Sequence, residues 1–143
     1  MLHPRIDISH GLDGEPVVLA CFDLDEQQIA ASSHAVAATT AERFRSASMS
    51  ADEVLELREL TALADELADL ALRPGIRTVV LRPARLSAYR DAAARFVETR
   101  DKAEWITEED REPLACLRGL LTSLEELCAE ALRAALSPTP RPC

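Results

Sequence analysis

Hydrophobic and polar positions along the chain change period several times, and each change marks an element. Arg5-Ile6-Asp7-Ile8-Ser9 alternates strictly, the signature of a half-exposed strand. Gly11, Asp13-Gly14 and Pro16 supply turn chemistry, and Val17 to Leu24 follows as a mostly apolar run, so a hairpin with a longer loop is expected. From about Asp25 to Ser46 the period becomes helical, with Ile29, Val36, Thr40 and Phe44 near one face and Ala between them. Ser50-Ala51-Asp52-Glu53 opens a second helix as a capping box, in which the Ser hydroxyl accepts from the Glu amide. That helix carries Leu57, Leu60, Leu63, Leu67 and Leu70 as one stripe and stops at Arg73-Pro74-Gly75.

The sequence of elements then recurs. Ile76 to Arg82 reads as a strand ended by Pro83, and about Ala84 to Ala103 as a helix with Leu86, Tyr89, Ala93, Phe96 and Val97 on one side. Trp105 and Ile106 occupy the next corner. Thr107 heads an acidic turn before a last helix striped by Leu114, Leu117, Leu120, Leu121, Leu124, Leu127 and Ala131. Proline is costly deep in a helix, so Pro113 places the regular start of this helix near Asp110 or Arg111. The Pro-rich tail 137–143 is expected to be flexible.

Shifting the chain by 57 residues superposes these halves, about 17–73 on 74–130, without a gap. Leu24 meets Leu81, Ala35 meets Ala92, Arg43 meets Arg100, and the five leucines of the second helix meet Leu114, Leu117, Leu120, Leu124 and Leu127. The expected fold is α+β and mainly helical: two β-α-α repeats forming a four-helix layer on a two- or three-stranded sheet. One domain covers 1–136. A sheet this small covers little helix surface, which leaves the last helix, through Leu120, Leu121, Leu127, Leu132 and Leu136, as the preferred face for a second copy. An intramolecular core for those leucines is the competing expectation.

Composition narrows the chemistry. The chain has 143 residues, enough to bury a core without staples, and its net charge is −9. Such a charge repels polyanions, so nucleic acid is not an expected partner. Arg73 to Lys102 nevertheless holds eight bases and three acids, a local +5, read here as offsetting the acidic helices beside it, with a basic docking patch as the alternative. Four cysteines show no metal spacing; Cys21 and Cys128 fall on apolar positions, which suits buried free thiols in a reducing compartment. No charged-then-apolar leader and no apolar run of membrane-spanning length is evident, so the expected location is cytoplasmic and no membrane partner is anticipated. Abundant Arg and Ala, a single Lys and no Asn look like the usage of a GC-rich bacterial genome.

Catalytic motifs are scarce. Val17-Val18-Leu19-Ala20-Cys21-Phe22-Asp23-Leu24-Asp25 resembles the first motif of the haloacid-dehalogenase-like phosphatases, whose first Asp attacks a phosphoryl group while the second acts as acid/base beside Mg²⁺. The resemblance ends at Glu26, where that family has Gly, and the late acidic pair is missing; Asp25 or a neighbour is read instead as ending the strand and capping the next helix. His3, His10 and His34 read as loop or surface residues. Ser33 and His34, adjacent on a helix, point apart and form no dyad. No Glu-x-x-His, phosphate-binding Gly loop or G-x-S-x-G occurs. These features lean away from an enzyme and call for no cofactor or metal. They point to a protein-interaction module that self-associates as a homodimer. The alternative is a small-ligand-binding or sensory domain with a pocket between the halves, lined by Arg82, Arg85, Tyr89 and Trp105.

Overall fold

The computed structural model describes residues 1–46 and 48–136, so the expectation for the tail 137–143 lies outside the described residues. Within them the chain is α+β and mainly helical, in the order β1 (Leu2–His10), β2 (Pro16–Leu24), α1 (Glu26–Phe44), α2 (Ala51–Ala71), β3 (Arg77–Leu81), α3 (Pro83–Asp101) and α4 (Glu108–Leu136).

The strands form an antiparallel sheet in the order β1-β2-β3. Side-chain alternation gives it one covered face: Ala20, Phe22, Leu24, Val79 and Leu81 are all buried against the helices. Asp23, Thr78 and Val80 alternate to the other face. Cys21, on that same face, is buried all the same, its Sγ 3.4 Å from Asp7 Oδ2 on the neighbouring strand. Burial, then the Asp7 carboxylate, push this thiol above its ordinary pKa.

Local chemistry explains where each helix starts. Asp25 caps α1: its Oδ1 accepts from the Gln28 amide at 2.8 Å, while Gln28 Oε1 accepts from the Asp25 amide at 3.1 Å, a complete capping box. The Asp-x-Asp run therefore ends a strand and begins a helix. Ser50 Oγ accepts from the Glu53 amide at 3.2 Å, but Glu53 turns its carboxylate to the Ser50 hydroxyl instead of the Ser50 amide. One start differs from expectation. α4 begins at Glu108 and passes through Pro113, before the Asp110 or Arg111 start expected. The bond that Pro113 forfeits is the one to the Glu109 carbonyl, and Glu109 is exposed, so water takes its place.

The core is one cluster fed by all four helices. α2 buries Leu57, Leu60, Leu63 and Leu67; α4 buries Leu114, Leu117, Leu120, Leu124, Leu127 and Ala131. α1 and α3 add smaller side chains to the core, burying Ala31 and Ala35 on one and Ala88, Ala92 and Ala93 on the other. Three rings, Phe22, Tyr89 and Phe96, fill the remaining space.

Several dimensions coincide across the two halves. α1 and α3 are each 19 residues long. Phe22 pairs with Val79 at the middle of the β2–β3 register. Ser32 and Tyr89, 57 positions apart, share a buried hydroxyl–hydroxyl hydrogen bond between α1 and α3. The counterparts Leu24 and Leu81, Leu63 and Leu120, and Leu67 and Leu124 are all buried.

Candidate interaction surfaces

Arg82, Arg85, Tyr89 and Trp105 do not converge. Tyr89 is fully buried and bonded to Ser32; burial drives its phenol well above the ordinary value, with the Ser32 bond opposing. Trp105 projects into solvent at the corner after α3. Arg85 is held by α2, its Nε donating to Glu59 Oε2 at 2.9 Å and its Nη1 lying 3.7 Å from Glu66 Oε2. Arg82 and Arg85 alone share a depression of about 460 Å³ with Leu19, Glu59 and Val80. The sequence could not separate Tyr89 from the arginines, because its ring and its hydroxyl are satisfied by residues far away along the chain.

The leucines of the last helix divide. Leu120 and Leu127 are core residues, at 2 % exposure each, and Leu121 is half-buried. Leu120 and Leu127 are spent inside the molecule, so they cannot also face a partner. Leu132 and Leu136, at 60 % and 74 % exposure, remain free. Beside them a mainly apolar groove of about 250 Å³ runs between α3 and α4, walled by Pro83, Leu86, Cys128, Ala131, Leu132 and Ala135.

A larger groove, about 750 Å³, lies between α1 and the start of α4 and is lined by Glu26, Glu108, Glu109, Glu112 and His34. His34 Nε2 donates to Asp110 Oδ1 at 2.8 Å, and Arg100 Nε donates to Asp110 Oδ2 at 3.2 Å. Burial alone would raise the Asp110 carboxyl, but the bonds from His34 and Arg100 with the Arg100 charge hold it below the ordinary carboxylate value. Phe96 completes the corner, with its ring edge-on to His34 and Arg100 stacked 4.4 Å from its centre. The arrangement is a clasp joining α1, α3 and α4, and among the described residues no hydroxyl or thiol is bonded to the imidazole. His34 and Asp110 are 76 positions apart, so no local spacing announces them. Among the described residues no group of three or more His, Cys, Asp or Glu side chains is placed to hold a metal ion, and no helix is long and apolar enough to cross a membrane.

No known protein family, curated protein sequence or solved structure matches the chain.

Proposed function

We propose that the chain is a non-enzymatic protein-interaction module that self-associates through the C-terminal end of α4. The carrying observation is that this end offers both projections and a receptor: Leu132 and Leu136 stand in solvent beside an apolar groove floored by Cys128 and Ala131. A surface holding both is self-complementary under a two-fold axis, since each copy's leucines meet the other's groove. Fully burying a leucine is worth about 1.5–3 kcal/mol. Two per copy give a gross gain of the same order as the roughly 4–15 kcal/mol lost on association. Weak association, much weaker than that of an obligate dimer, is therefore expected.

The coincidences between the halves support a second part of the reading: two β-α-α units related by an approximate two-fold axis through the Phe22–Val79 pair and the Ser32–Tyr89 bond. The longer α4, 29 residues against 21 in α2, then carries Leu132 and Leu136 on turns that α2 does not have. The cysteines support a reducing, cytoplasmic setting. Among the described residues Cys21, Cys116 and Cys128 form no bridge with one another, and burial pushes all three thiols upward, toward the protonated, unreactive form.

Size-exclusion chromatography with light scattering tests the self-association. A mass that rises toward the dimer with concentration is expected, and Leu132→Glu with Leu136→Glu should abolish the rise without lowering the melting temperature. A strict monomer at high micromolar concentration would remove the proposal.

A further inference from the structure

We propose that the outer edge of β3 receives an extended, acidic strand from a partner protein. This goes beyond self-association at α4 and uses a different surface.

Among the described residues the strand order leaves β3 with β2 on one side and no strand on the other. An open edge presents backbone donors and acceptors at the spacing of another strand, and strand addition is a recurrent mode of peptide recognition. Of the helices, α3 makes the main contact with β3, and α2 comes beside its C-terminal end, where Glu59 shares a depression with Val80 and Arg82. Ile76 and Val80, 58 % and 46 % exposed, offer apolar contact on the uncovered side.

Charge identifies the occupant. Acids outnumber bases 25 to 16 in the chain, and Arg43, Arg85, Arg95, Arg100 and Arg118 each meet a carboxylate. Arg73, Arg77 and Arg82, which lie just before, at the start of and just after β3, meet none among the described residues; Arg45, Arg58 and Arg133 also meet none there, but none of those three lies in or next to a strand. Arg77 Nη2 donates to the Pro74 carbonyl at 3.0 Å, but its Nε is buried without an acceptor. A buried donor left unpaired is costly, and an incoming carboxylate would satisfy it. Of the acids beside β3, Asp23 already accepts from the Thr78 hydroxyl at 2.6 Å and Glu26 from the Gly75 amide.

The end of the strand repeats the demand. β3 runs through Arg82 directly into α3, whose N-terminus has no side-chain cap and no acid in its first turn, whereas α1 and α2 are capped by Asp25 and Ser50. A helix N-terminus beside an arginine favours an anion. A strand alternating acidic and apolar residues would place apolar groups on the face of Ile76 and Val80 and carboxylates on the opposite face at Arg77, with an acidic end reaching Arg82 and the helix start. A second copy of this chain would instead bring its own Arg73, Arg77 and Arg82 to the same line, so like charges oppose that pairing.

The probe is a fluorescein-labelled, acetylated heptapeptide alternating Glu and Val, titrated into the full chain and followed by anisotropy. Three controls accompany it: the Lys/Val peptide, the Glu/Val peptide N-methylated on alternate amides, and amide shifts of the isotope-labelled protein. Saturable binding is expected, with shifts centred on residues 76–82. Both control peptides and the Arg73→Glu, Arg82→Glu double variant should bind at least about tenfold more weakly. The Leu132→Glu, Leu136→Glu variant should bind the peptide unchanged, so this inference and the α4 proposal fail separately. Equal binding of the N-methylated peptide would overturn strand addition, as would shifts confined to another surface or no binding at about 1 mM peptide. A dimer broken by Arg77→Asp would assign the edge to a second copy and also overturn it.

Discussion

Ser32 and Tyr89 carry the sharpest polar contact in the interior. Each hydroxyl is the other's partner in a site without water access. Tyr89→Phe strands the Ser32 hydroxyl and should cost about 1–3 kcal/mol, the penalty of an unsatisfied buried group. Adding Ser32→Ala should cost less than the sum of the two single changes, because both partners are then gone. Urea unfolding of the three variants measures this. Alkaline pH gives a second signature. The folded phenol keeps its proton above the value at which the unfolded phenol loses it, so stability is full below about pH 10 and falls as pH rises past it. Tyr89→Phe should flatten that limb, and an unchanged alkaline slope would contradict the burial. Asp110 works in the opposite direction. Its lowered value contributes stability above the ordinary carboxylate pKa of about 3.9, lost as pH falls further. Asp110→Asn should therefore remove part of the acid limb of an unfolding curve followed by circular dichroism. At this scale the sequence was legible where partners are close in the chain, as in the Asp25 cap. It was silent where they are 57 or 76 positions apart, as at Ser32–Tyr89 and His34–Asp110.

Helices and strands were more open to reading, because their periods are local. The stripes Leu57 to Leu67 and Leu114 to Leu127 are buried as their spacing requires, and the alternation of Ile6 with its neighbours marks the edge strand β1. Two boundaries moved. β1 extends to Leu2, with a register irregularity between Leu2 and Arg5 and a left-handed residue at His3 that breaks the alternation. α4 starts before Pro113, because the proline's missing bond falls at a solvated end. Caps belong to this scale. Ser50→Ala removes the acceptor of the Glu53 amide and should lower stability by about 1 kcal/mol in urea melts. Ser50→Asp should retain it, and equal losses in both variants would show that the cap is not the cause. The α4 overhang was harder to read: Leu120, Leu127, Leu132 and Leu136 look alike in the sequence. Only the packing of α3 and the sheet decides that the first pair is enclosed and the second is not.

For the whole molecule, the mainly helical α+β class follows from the order of periods, while the apolar runs allowed two or three strands and the described residues form a sheet of three. What the sequence withheld was assembly. β3 lies on an edge, α1 and α3 meet at the Ser32–Tyr89 bond, and Arg82 and Arg85 share a depression from which Tyr89 and Trp105 are absent. These depend on how the halves meet, and no residue pattern within one half encodes it.

That meeting of the halves can be measured through Leu67 and Leu124, counterparts in α2 and α4 with no solvent exposure. Leu67→Ala and Leu124→Ala, unfolded in urea with far-ultraviolet circular dichroism and Trp105 fluorescence recorded together, should each show one coincident transition. Each should lose about 2–5 kcal/mol, the cost of truncating an enclosed leucine. Two separated transitions, or a near-silent substitution at either position, would mean that the two leucine-faced helix pairs do not share one interior.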